Sequence, residues 1–228
     1  MQKIKMLVAA AAMAAVTYTG AAPAAAGDYS GDFMVRLGGT VVAPDSSADV
    51  FAVPGGLIPG SDGEVNTVVI PSATLTYFFN KNLAAELFCC FAKLNADAKG
   101  TIAPLGEVAD FWVFPPIVTL QYHFDSFRGF KPYVGAGVQW IHFFNEKSAY
   151  GNVNIDDAFG FALQAGVDVE MGGGWYLNAD VKKVWIDTEV HWTTAGLRGE
   201  VDIDPWLISV NLGYRFNLFG PRYTEPLK

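Results

Sequence analysis

The sequence predicts an all-β fold, an eight-stranded antiparallel up-and-down β-barrel that spans a membrane. Three observations carry the prediction: much apolar content without a helix-length apolar run after the leader, eight segments alternating in polarity, and spacers alternating in length. The 228 residues are 51% hydrophobic and 17% charged, with 14% aromatic residues and 24 glycines. So apolar a chain can bury enough surface to fold, which excludes disorder. Fifteen Lys+Arg against 23 Asp+Glu leave a net charge of −8 and no basic footprint for a nucleic-acid partner. A spanning helix needs about 20 consecutive apolar residues. In lipid only helices and closed barrels satisfy every backbone polar group. A soluble β protein and an outer-membrane barrel are what remain.

Residues 1–26 read as a signal peptide. Lys3 and Lys5 form a positive start, Met6 to Val16 an apolar stretch, and Ala24-Ala25-Ala26 a small-residue cleavage site. Removing them takes the net charge from −8 to −10, since the two lysines go with them. Export of this kind delivers the remainder to an oxidising compartment. Cys89 and Cys90 are nevertheless adjacent on a strand, point to opposite faces, and cannot meet disulfide geometry.

Residues 27–216 carry the eight alternating segments, each near the 9 to 11 residues of a transmembrane strand. In order they are Val35 to Val41 with Arg36 inward, Ala73 to Phe79, Leu83 to Phe91 with Glu86 inward, and Val118 to Phe124 with Gln121 and His123 inward. Then follow Val134 to Trp140 with Gln139 inward, Phe159 to Val169, Trp175 to Val181 with Asn178 and Asp180 inward, and Trp206 to Phe216. Asn80-Lys81-Asn82, Ser126 to Phe130 and Met171 to Gly174 are short turns, whereas 44–66, 94–114, 145–156 and 188–201 are expected as long loops. That rhythm is the one of periplasmic turns and extracellular loops. Aromatics gather toward strand ends, where interfacial girdles lie.

Charges test the register, because an Arg or Lys facing mid-membrane lipid costs about 2–4 kcal/mol. Arg36, Glu86, Asp168, Asp180, Lys182 and Arg215 all fall on the inward parity, which predicts a self-neutralising network in the lumen. Lys183 falls on the lipid parity and is expected near a headgroup region. Pro71, Pro115 and Pro116 cannot donate to a ladder, so they mark either simple strand starts or a locally unpaired wall with a lateral opening.

Several runs resemble one family. Lys131-Pro132-Tyr133-Val134-Gly135-Ala136-Gly137 is similar to the OmpW family of outer-membrane proteins, as are Phe33 to Arg36, Pro115-Pro116 and Gln164 to Asp168. Trp185 to Thr188, Ile203 to Trp206 and Gly213 to Phe216 continue the likeness in the same order. The resemblance implies an eight-stranded barrel with a narrow hydrophobic channel for small apolar compounds; one family member is a colicin receptor. Members usually end at the aromatic closing the last strand, the signal read by the β-barrel insertion machinery. This chain runs on from Asn217 to Lys228, a C-terminal extension.

An eight-stranded barrel is just wide enough to be filled by side chains or to hold one small ligand, which disfavours a general pore. The first two long spacers are unusually apolar, and Phe51, Leu57, Leu94, Phe111, Trp112 and Phe114, with inward Phe88, are the candidate lining of an apolar vestibule. Loop-on-loop packing is the competing account. The expected function is capture of small apolar solutes and lateral release into the outer leaflet. Alternatives are a narrow ion-conducting porin, or a structural or receptor barrel whose acidic loops bind lipopolysaccharide or a protein. No enzyme, cofactor or metal site is expected: the three histidines, His123, His142 and His191, are scattered, without a serine at matching spacing. Outer-membrane lipids and lipopolysaccharide are the expected surroundings.

Overall fold

The computed structural model describes residues 30–217. The expected leader lies outside these residues, as does the C-terminal extension apart from Asn217, which ends the last strand. Strands follow one another as β1 (Asp32–Ala43), β2 (Ser47–Ala52), β3 (Gly56–Leu57), β4 (Ser61–Val65), β5 (Val68–Phe78), β6 (Leu83–Cys90), β7 (Ala92–Gly100) and β8 (Glu107–Phe114). After them come β9 (Ile117–His123), β10 (Phe130–Lys147), β11 (Val153–Ile155), β12 (Ala158–Gly172), β13 (Trp175–Trp185), β14 (Asp187–Trp192), β15 (Leu197–Asp202) and β16 (Trp206–Asn217). The antiparallel ladders β1–β5–β6–β9–β10–β12–β13–β16 return to β1 and close the barrel, so no edge is left in lipid. The turn from β12 to β13 is tight enough that Gly172, Gly173 and Gly174 all take positive φ, which a residue with a Cβ rarely adopts.

The long spacers are not the loops that the sequence suggests. Most of their length is strand: β2, β4, β7, β8, the end of β10, β11, β14 and β15 extend the staves beyond the membrane. Their Asp, Ser and Gly content reads as loop because no lipid demands an apolar outer face there. Among the described staves only β10 runs through without a break; the others are interrupted at 44–46, 66–67, 91, 115–116, 156–157, 186 and 203–205. Above the breaks the wall forms two sheets, β4–β7–β8 joined to upper β10, and β11–β14–β15–β2–β3. One seam between them is stitched by side chains, with Ser61 Oγ accepting from Val50 N at 3.0 Å and Ser46 Oγ from Val65 N at 2.9 Å. At the other, the His142 ring meets the Asp157 carboxylate at 2.8 Å just beyond the last ladder pair, Ile141 with Ala158.

Parity sorts the two faces as read from the sequence. Phe159, Phe161, Leu163, Val210, Leu120 and Leu37 are among the large apolar residues exposed on the outside, as a lipid coat requires. Aromatic belts bound it. Phe33, Tyr77, Phe79, Trp175, Tyr214 and Phe216 make the periplasmic one through a chain of ring contacts. The outer belt includes Phe91 stacked on Phe114 and Trp112 on Phe144. Lys183 sits at that level, its Nζ donating to Asp204 O and lying 5.3 Å from the centre of the Trp206 ring.

Candidate functional site

The membrane half of the lumen is closed by a polar plug. Arg36, fully buried, donates through Nε and Nη2 to both Asp168 oxygens at 3.1 and 2.7 Å, and through Nη1 to Glu86 Oε2 at 2.9 Å. Lys182 bridges Glu86 Oε1 at 3.1 Å and Asp180 Oδ1 at 2.6 Å. Two cations thus face three carboxylates. Neutral donors make up the difference: Gln164 Nε2 reaches Glu86 and Asp180, Asn178 Nδ2 reaches Asp168, and Tyr133 Oη donates to Asp180 at 2.7 Å. Desolvated charges are tolerable only when their remaining lone pairs and protons are met in this way. Gly166 makes room for it, because a Cβ there would lie 2.5 Å from Tyr133 Oη. His123 is part of the same packing, stacked on Tyr133 with ring centres 4.8 Å apart.

Five of the six charges expected in the lumen meet in this plug. Arg215 is the exception: its inward parity is right, but it lies at the periplasmic mouth, 3.4 Å from Asp32 and over the Tyr176 ring. Parity fixes the side of a strand and not the depth along it.

Two residues further up each strand the interior changes character. Thr40 gives way to Val42, Ser72 to Ile70, Glu86 to Phe88, Thr119 to Ile117, Gln139 to Ile141, Gln164 to Ala162, Lys182 to Val184 and Ser209 to Leu207. Those upper residues belong to one apolar cluster, with Val42 packed against it. This polar-to-apolar step on every strand is visible in the sequence once the strands are aligned by depth, a signal that parity alone does not reveal. Lys182 Nζ, 5.0 Å from the centre of the Phe88 ring, marks the boundary. Within the extracellular part of the cluster lies a cavity of about 180 Å³ lined by, among others, Val50, Ile58, Phe111, Phe143, Val190 and Trp192.

Of the residues expected to line a vestibule, Phe111 does line this cavity. Phe88 and Leu94 are buried in the apolar cluster beside it. Phe51 and Leu57 are not among the lining residues; they pair with each other in the β2–β3 arm, and it is their neighbours Val50 and Ile58 that face the cavity. Trp112 and Phe114 turn outward into the aromatic belt, since the run from Phe111 is a strand, not a loop, and successive side chains alternate faces.

The three prolines flank the break in the third stave. The β5–β6 ladder stops at the Ser72–Cys90 pair, next to Pro71, and the β4–β7 ladder takes over only at Val65–Ala96. On the other side, β6–β9 stops at Phe88–Ile117 and β7–β8 begins at Ala92–Val113, with Pro115 and Pro116 in the interval. Ile70, Cys90 and Ala92 line the interior there, all within the apolar cluster.

A closed eight-stranded antiparallel barrel agrees with what the chain is similar to. A model of the OmpW family matches residues 29–216. The chain belongs to the OmpW family. It is 37% identical over 214 residues to the uncharacterized outer-membrane protein y4mB of Sinorhizobium fredii, covering 90% of each. Outer membrane protein AlkL of Ectopseudomonas oleovorans is 30% identical, over 84% of this chain and 85% of that one. The crystal structure of OprG from Pseudomonas aeruginosa superposes with a TM-score of 0.77 at 29% identity, over 85% of this chain and 99% of that one. An OmpW-family barrel resides in the outer membrane, and the family is one of membrane barrels, not of enzymes.

Proposed function

We propose that this OmpW-family protein carries small apolar molecules from the cell exterior into the outer membrane, taking them up in the extracellular cavity and releasing them sideways through the wall near Pro71, Pro115 and Pro116. One observation carries the reading: the apolar cavity lies above a desolvated charge network, with the buried apolar layer of Phe88, Ile117, Ala162, Val184 and Leu207 between them. An apolar solute gains by entering the first, since ligand sites are concave and mostly apolar. Continuing through the second would strip Arg36 and Lys182 from their carboxylates, and removing one partner of a buried pair costs about 3–5 kcal/mol. The wall offers the easier exit, because its ladders lapse around Phe91, after Ser72–Cys90 on one side and after Phe88–Ile117 on the other, while the interior there is apolar. In this scheme Phe88 and Leu94 line the way from cavity to wall, and outward Trp112 and Phe114 receive the solute at lipid level. Lipopolysaccharide surrounds the exposed rim, and the insertion machinery engages the closing aromatics Tyr214 and Phe216.

Uptake of an apolar fluorophore into proteoliposomes tests the proposal. Phe111→Asn should slow uptake severalfold, Trp112→Ser should do so far less, and ion conductance should stay negligible in both. Unchanged uptake in a correctly folded Phe111→Asn barrel would overturn it.

A further inference from the structure

The extracellular rim carries a second group of residues that apolar transport does not use. Val190 of β14 points into the cavity, so its neighbours Glu189 and His191 project together from the outer face of that strand. Beside them, Asn154 of β11 pairs with His191, and Asp156 N donates to Glu189 O at 2.9 Å. Three potential ligand atoms therefore converge, one each from Asp156, Glu189 and His191, all within 4.8 Å of one another.

We propose that Asp156, Glu189 and His191 form a binding site for a divalent transition-metal ion of the zinc class. Distances favour coordination over a plain ion pair. His191 Nε2 lies 3.5 Å from Asp156 Oδ2 and 3.6 Å from Glu189 Oε2. A charge-assisted hydrogen bond would close to about 2.7–2.9 Å. Zinc bonds to nitrogen and oxygen of about 2.0–2.1 Å set the edge of a coordination tetrahedron near 3.4 Å, close to both separations.

The other oxygen of each carboxylate is already held. Asn154 Nδ2 donates to Asp156 Oδ1 at 3.0 Å, and Arg198 Nη2 to Glu189 Oε1 at 2.8 Å. Outer partners of this kind fix the orientation of ligating groups. They leave Oδ2 and Oε2 turned toward the imidazole. One imidazole with two carboxylates suits zinc, copper or nickel better than calcium or magnesium, which prefer all-oxygen shells. Three protein ligands leave a fourth position for water or an outside ligand. A bound ion would tie the end of the short β11 strand to β14.

Untagged full-length protein in detergent micelles, titrated calorimetrically with zinc chloride and spectroscopically with cobalt, tests the site. One equivalent should bind, with cobalt giving the intense visible bands of a tetrahedral complex. His191→Ala and Asp156→Asn should each weaken zinc binding by at least about tenfold, and Asn154→Ala by about tenfold through its orienting role. Glu107→Gln, on β8 in the other upper sheet, should bind as the parent does. Each variant is first confirmed as a closed barrel by its heat-modifiable gel mobility. Absence of zinc binding, equal binding by His191→Ala, or binding of calcium in preference to zinc would each overturn the assignment.

Discussion

At the level of Thr40, Glu86, Gln164 and Lys182 and just beneath it the barrel interior is held by hydrogen bonds and ion pairs; two residues further up each strand it is held by apolar contact. The same inward parity serves both halves. Directional contacts must be satisfied together, so the lower half is filled and its ladders are continuous. Apolar contacts have no such requirement, and the upper half accommodates a cavity, a break in almost every stave and two stitched seams. The barrel thus keeps its seal on the periplasmic side and its adaptable volume on the side that meets solutes first.

Breaking the seal should have the largest effect. Arg36→Ala leaves Glu86 and Asp168 buried without their shared cation, and should destabilise the barrel by about 3–5 kcal/mol, measured by urea unfolding in lipid vesicles. A much smaller loss would mean that water already reaches the plug. Next in size is Gly166→Ala, whose new Cβ meets Tyr133 Cζ and Oη at 2.5 Å and Ala179 O at 2.9 Å; overpacking of this order costs about 1–3 kcal/mol. Ion leakage through the variant would show whether displacing Tyr133 opens the plug. In the upper half, Ile203→Val trims one methylene from the cavity lining and should cost about 0.5–1.5 kcal/mol. It should also favour a bulkier apolar probe in uptake, which a change at the plug level, such as Gly166→Ala, should not.

How much of this could be read in the sequence follows from how strongly lipid and lumen constrain each residue. Where a strand faces lipid on one side and a narrow interior on the other, period-two alternation is imposed twice, and all eight strands, their inward charges and the place of Lys183 were legible. Arg215 shows the limit, because its parity placed it inward while its depth, one residue beyond Tyr214 in the periplasmic belt, kept it from the plug. Beyond the membrane the outer face is free to be polar, so Ser61–Val65 and Leu197–Asp202 look like loop though they are strand. A segment that looks like loop carries no alternation of faces, so the sequence does not assign its side chains to inside or outside. Phe51 and Leu57 stand one residue from Val50 and Ile58, and on a strand that single step exchanges inside for outside. The rim cluster was invisible for a different reason: Asp156 lies far in sequence from Glu189 and His191, and only the β11–β14 register unites them.

The smallest expected effect distinguishes the halves by pH. Asp187 and Asp202 are cross-strand partners on β14 and β15, on the extracellular rim. Desolvation of the charged form, followed by a hydrogen bond shared with Asp202 and by the charges of Asp202 and Asp204, raises the Asp187 carboxyl above its ordinary 3.8. A folded rim therefore binds this proton more tightly than an unfolded one. The resulting stabilisation is complete below the ordinary aspartate value and is lost as pH rises through the elevated one. Amide exchange in the β14–β15 hairpin should accordingly slow as pH falls through that window, after correction for intrinsic exchange rates. In Asp187→Asn the amide donates to Asp202 at every pH, so exchange should be slow already at neutral pH and insensitive to mild acid. If the hairpin of the parent protein loosens in mild acid instead, the Asp187–Asp202 proton does not hold the rim.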